Sequence, residues 1–120
     1  MDKICKANSI SMRKEIDKYG TIRYYNDKGE SHREDGPSVE CANGTKEWYK
    51  NGERHREDGP AIEYEEGSKA WFKNGKLHRE DGPAVDYISG RKEYWYNDVM
   101  YSNIKSDEEW VRIIKLLVFQ

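Results

Sequence analysis

The sequence predicts a mainly β protein: an elongated single-layer antiparallel meander of β-hairpin repeats with a C-terminal α-helix. Three observations lead there. The hexapeptide HREDGP stands at residues 32–37, 55–60 and 78–83, a fixed period of 23 residues that signals a repeat array. An Asn-Gly pair, the strongest short hairpin signal, lies between an aromatic pair and the histidine at Asn51-Gly52 and Asn74-Gly75. Near the end, SDEEWVRIIKLLVF switches to helical spacing of its apolar residues.

At 120 residues the chain is one domain by length, and 35% hydrophobic against 37% charged residues leaves material for only a thin core. Four Trp, nine Tyr and two Phe nevertheless separate it from disordered chains, which are poor in aromatics. Basic and acidic residues, 21 and 23, are interspersed for a net charge of −2, so no field favours nucleic acid or an anionic membrane. The first residues carry no apolar run of signal-peptide length, and IIKLLVF is too short to span a bilayer. A soluble, cytoplasmic protein is expected. Cys5 and Cys41 lack metal-ligand spacing and read as reduced thiols, Cys41 as a packing residue.

Residues 1–19 form an N-terminal segment. The alternation Ile10, Met12, Lys14, Ile16 predicts a capping strand, while Met12, Ile16 and Tyr19 would also fit a short helix. Residues 20–101 hold three and a half hairpin repeats, the first one residue longer at its turn and the last degenerate after Tyr101. With Asn51-Gly52 as a two-residue loop, Lys50 pairs with Glu53, Tyr49 with Arg54 and Trp48 with His55. Strict alternation then puts Trp48 and His55 on one face and Tyr49, Arg54 and Arg56 on the other. Asp-Gly-Pro reads as a corner, with Asp bonding turn amides and Pro unable to donate to a ladder. Residues 106–119 form an amphipathic helix, with Ser106 as N-cap, Glu109 as its capping-box partner, and Trp110, Ile113, Ile114 and Leu117 on one face. That face should cover a sheet face or the edge of the last hairpin, or dock on a partner.

In its aromatic pair, Gly-containing turn and 23-residue period, the repeat resembles the MORN repeat. It is most similar to the variant W-[YF]-x-N-G-x-x-H-R-E-D-G-P-A, arrays of which resemble bacteriophage and large-virus proteins. The resemblance covers residues 20–101 and implies antiparallel hairpins in an elongated meander. A standard MORN repeat has glycine where Arg56 and Arg79 stand, so no lipid-binding role is carried over.

The histidines invite a metal or catalytic reading, and spacing opposes it. Equivalent positions two strands apart are separated by roughly 9.6 Å, whereas ligands of one zinc sit ~2.0–2.1 Å from the metal. The glutamates recur in like surroundings, with none of the asymmetry that acid–base catalysis needs. In the final copy, Tyr101 replaces histidine and Ser-Asn-Ile-Lys-Ser follows it, so a ring is kept and a proton carrier is not. The histidine is therefore expected to pack against Trp48 or Trp71, and neither enzymatic activity nor a cofactor is expected. Arg33, Arg56 and Arg79 form a row that is either a solvated face or, with Tyr49, Phe72 and Trp95, a partner-binding face. The leading expectation is a protein-binding module, by resemblance one that inhibits a host or cellular protein such as a defence factor. The alternative is sequestration of a nucleotide or signalling ligand, and a homodimer could form through the C-terminal helix or a sheet edge.

Overall fold

A computed structural model describes residues 13–119. The molecule measures 56 × 35 × 17 Å, and the short dimension fits one sheet with side chains on both faces. β1 (Arg13–Ile16) and β2 (Ile22–Tyr25) form the first hairpin, with Arg13 opposite Tyr25 and Ile16 opposite Ile22. The expected capping strand is thus present over Arg13–Ile16, with all four side chains exposed, while Ile10, Met12 and Cys5 lie outside the described residues.

The array continues through β3 (Val39–Glu40), β4 (Lys46–Glu47), β5 (Tyr49–Lys50), β6 (Glu53–Arg54) and β7 (Ile62–Glu63). It repeats through β8 (Lys69–Ala70), β9 (Phe72–Lys73), β10 (Lys76–Leu77) and β11 (Val85–Asp86), and closes with β12 (Lys92–Tyr96) and β13 (Val99–Tyr101). One antiparallel sheet runs β1-β2-β3-β4-β7-β8-β11-β12-β13, and β5–β6 and β9–β10 project from its margin as two-stranded tips.

Tyr49 pairs with Arg54 and Lys50 with Glu53, the register that an Asn-Gly loop dictates. Both central residues have positive φ, 49° at Asn51 and 86° at Gly52, as a type I′ turn demands. The last hairpin achieves the same turn with Asn97 and Asp98, at φ 47° and 68°. A Cβ at Gly52 would meet the Glu30 side chain only at an ordinary contact distance of 3.6 Å, so Gly52→Ala should lose about 1–2 kcal/mol through backbone strain alone. Urea unfolding would measure it.

Asp-Gly-Pro was expected to form a corner between strands, and the ladder is interrupted there, with β4 parting from β5 at Trp48 and β8 from β9 at Trp71. The Trp48 N–H donates to the Ala61 carbonyl at 2.7 Å, and the Trp48 carbonyl accepts from the His55 N–H at 3.1 Å. One residue thereby spans a gap from which residues 56–60 bulge out of the ladder. Trp71 does the same between Ala84 and His78, and Tyr24 between Ser38 and His32. The proline, which cannot donate, sits in the part of the chain where no ladder bond is needed.

Ile62, Ala70 and Val85 form a small buried cluster against Phe72, Leu77, Tyr87 and Trp95. A second cluster joins Tyr94 to Trp110 and Ile114 of α1 (Asp107–Val118). Ser106 caps that helix by accepting from the Glu109 N–H at 3.1 Å, and acids fill the first turn, where they favour the helix dipole. Glu109 reaches back to the Lys105 N–H, one residue before the expected partner. The helix therefore covers the last hairpin within the chain. Among the described residues no helix is long and apolar enough to cross a membrane.

Candidate functional site

Each arginine of the motif folds back over a ring. The guanidinium carbons of Arg33, Arg56 and Arg79 lie 4.0, 3.8 and 3.9 Å from the ring centroids of Tyr24, Trp48 and Trp71. Arg56 donates from Nε to Asp58 at 3.0 Å and from Nη1 to both the Pro60 carbonyl and Glu63, each at 3.0 Å. Arg33 repeats the set with Asp35, Pro37 and Glu40, and Arg79 with Asp81 and Pro83. A Cβ on Gly59 would stand 3.1 Å from the Arg56 Cζ, so glycine is what lets the loop close on the guanidinium.

Two expectations are corrected here. Arg56 shares the face of Trp48, not that of Tyr49 and Arg54, because strict alternation ends where the chain leaves the ladder. Asp58 accepts from its arginine instead of from turn amides, and the Arg33 bond holds the Asp35 carboxyl below its ordinary range.

The histidines have a role other than packing on tryptophan. Nδ1 of His32, His55 and His78 accepts from the backbone N–H of Asn51, Asn74 and Asn97 in the next copy, at 2.9, 2.9 and 3.0 Å. Since the amide can only donate, each ring carries its proton on Nε2, which lies 2.6, 2.6 and 2.9 Å from Glu34, Glu57 and Glu80. The His55 bond is the main reason the Glu57 carboxyl sits below its ordinary range. Beside it, the Gly52 and Gly75 N–H groups donate to the Ser31 and Arg54 carbonyls of the preceding copy. The histidine is a clamp between copies.

Two open clefts, of 580 and 750 Å³, lie between successive motif loops. Their exposed charges include the carboxylates of Glu34, Asp35, Glu57, Asp58, Glu80 and Asp81, while the arginines beside them already hold acceptors. With Lys50 or Lys73 also in the lining, each cleft sets four carboxylates against three cations and has no excess of positive charge to hold a phosphate. Among the described residues no group of three potential ligands could hold a metal ion.

The opposite face is aromatic. Tyr49, Phe72 and Trp95 are half-buried there, and the Arg54 guanidinium lies 5.5 Å from the rings of both Tyr49 and Phe72. Glu47 accepts from the Tyr49 hydroxyl at 2.9 Å and from Arg54 at 3.5 Å. Burial, with Glu47 adding to it, pushes the Tyr49 hydroxyl up to about 12. In the last copy Glu93 accepts from the Trp95 indole at 3.0 Å and from the Tyr87 hydroxyl at 3.3 Å. The middle copy differs: Ala70, Phe72 and Leu77 stand where Glu47, Tyr49 and Arg54 stand before it, and an apolar groove of 380 Å³ opens over them.

The six candidate residues therefore divide between two faces, three arginines on one and three aromatics on the other. Ala70 and Leu77 were missed, although aligning the copies shows the middle one departing at both positions. Cys41 is half-buried, and burial raises its thiol above its ordinary range. No protein-family model, no curated protein and no solved structure matches the chain.

Proposed function

We propose that the protein is a non-enzymatic protein-binding module whose contact surface is the aromatic face. One observation carries this reading: the copies agree on the arginine face and differ on the aromatic one. The ring under the arginine is Tyr24, Trp48 or Trp71, the clamp is His32, His55 or His78, and the acid at the loop's end is Glu40 or Glu63. The junction between neighbouring copies is the same each time it is made, so its residues must recur. The aromatic face reads Glu47, Ala70, Glu93 along one row, Tyr49, Phe72, Trp95 along the next, and Arg54, Leu77, Met100 along a third. A partner without a repeat of its own favours such variation, and half-exposed aromatics supply anchors at low entropic cost.

Arg33, Arg56 and Arg79 act in this reading as scaffold. The resemblance to phage and large-virus arrays supports a host-directed role, with a host or defence factor as the protein bound and inhibited.

Tyr64 is 43% exposed and Met100 50%, so both can be changed without opening the core. Tyr64→Lys with Met100→Lys should weaken binding of a partner recovered from host lysate by roughly tenfold or more, about 1.4 kcal/mol. Lys50→Glu with Lys73→Glu, at the clefts on the other face, should leave it unchanged. The reverse pattern in biolayer interferometry would reject the aromatic face.

A further inference from the structure

The middle copy replaces a hydrogen-bonded set of polar groups with an apolar one, three changes at once. Glu47, Tyr49 and Arg54 bond to one another, whereas Ala70, Phe72 and Leu77 have nothing to exchange. Losing Glu47 alone would strand the Tyr49 hydroxyl and Arg54, whereas the three changes together leave a groove floored by Ala70 and Val85 and walled by Phe72, Leu77 and Tyr87. At 380 Å³ it lies at the small end of the ~300–1,000 Å³ of ligand sites, and it is open along the sheet.

Two exposed arginines stand at its margins. Arg54 stands beside Phe72 with its side chain 41% exposed, holds Glu47 only at 3.5 Å, and has a buried Nε with no acceptor. Arg91 stands over Tyr87, 5.2 Å from the ring centroid, with its side chain 67% exposed. Of the nearby carboxylates, the Glu47 and Glu93 side chains are largely covered, at 20% and 13% exposure, while the exposed Glu66 lines the groove and accepts from the Ser68 N–H and hydroxyl.

Building on the aromatic-face reading, we propose that the groove over Ala70, Phe72 and Leu77 docks a leucine or phenylalanine side chain carried by an acidic, extended segment of the partner protein. The apolar side chain fills the gap that Glu47 and Glu93 close in the flanking copies. A carboxylate on one side of it meets Arg54, which holds Glu47 only loosely, and one on the other side shares Arg91 with Glu93, to which Arg91 is bonded at 2.9 Å.

The test is a methyl-NMR titration with three short peptides: a central leucine flanked by aspartate and glutamate, the same leucine flanked by lysine, and the acidic peptide with alanine at its centre. The acidic leucine peptide should shift the Ala70, Leu77 and Val85 methyls and bind roughly tenfold more tightly than either control. Ala70→Glu with Phe72→Tyr and Leu77→Arg gives the middle copy residues that the preceding copy already accommodates, and in it the acidic leucine peptide should no longer shift the Val85 methyls, the reporter that the changes leave in place. Equal binding of the lysine-flanked peptide, shifts confined to other methyls, or no shift with any peptide would overturn the groove. If the groove fails while Tyr64→Lys with Met100→Lys still weakens the partner, the aromatic-face reading survives without it. If that pair also leaves the partner bound, the broader reading falls too.

Discussion

Trp110→Ala should lower the free energy of unfolding by about 3–5 kcal/mol, the usual cost of truncating a buried tryptophan. The side chain is fully buried, with its ring centroid 5.5 Å from that of Tyr94 and 5.4 Å from that of Tyr101. Its indole N–H donates to the Arg79 carbonyl at 2.8 Å. In every earlier copy an arginine of the next loop segment covers the ring at the equivalent of Tyr94. After Tyr101 that loop has become Ser-Asn-Ile-Lys-Ser, so nothing local remains to cover it. The helix supplies Trp110 instead, and the Tyr94 hydroxyl joins the cap by donating to Asp107 at 2.8 Å. Against a total stability of roughly 5–15 kcal/mol, the loss should appear as a large fall in the urea midpoint and as solvent exchange of β13 amides. Trp110→Phe, which keeps a ring and forfeits the N–H bond, should lose only about 1–2 kcal/mol. A loss under about 1 kcal/mol for the alanine variant would mean that the helix does not hold the end of the sheet.

Arg56→Lys should be the second-largest effect, about 2–3 kcal/mol, although charge is conserved. Lysine offers one ammonium where the guanidinium serves Asp58, the Pro60 carbonyl and Glu63 while lying flat on Trp48. The point charge cannot reach three acceptors in a plane and lie on the ring as well. Asp58 is 88% exposed on its side chain and adds little by itself, so most of the loss belongs to the stack and to the carbonyl that closes the loop. The exposed Arg112 provides the control: Arg112→Lys should stay within about 0.5 kcal/mol. Chemical denaturation of the two variants side by side decides whether Arg56 is a fastener of the loop or a solvated charge.

Period and turn chemistry made most of the fold legible. Asn51 and Gly52 announced a type I′ turn because few other residue pairs accept positive φ twice, and the register of Tyr49 and Arg54 followed from it. Ser106, its acidic first turn and the spacing of Trp110 and Ile114 likewise announced the helix. The place where reasoning by alternation failed was the segment from Arg56 to Pro60. Alternation assumes an unbroken ladder, and the bonds from Trp48 to both His55 and Ala61 show that the ladder skips that segment. Once Arg56 is outside the sheet, its side chain can reach either face, and the aromatic ring decides which. The histidine's role was illegible for a related reason: its acceptor bond to Asn74 joins residues 19 apart, in different copies, and no pattern within a copy reports it. The division of the six candidate residues between two faces follows from these two facts.

The clamps also give the array a direction. His32 holds Asn51, His55 holds Asn74 and His78 holds Asn97, always with the earlier copy accepting from the later one. On a ribosome, each copy therefore emerges with an unanswered histidine acceptor and waits for the next copy to complete it. The final ring, Tyr94, waits for Trp110 of the helix that follows it. A nascent chain of this protein stays open at its growing end until the helix emerges to close the sheet.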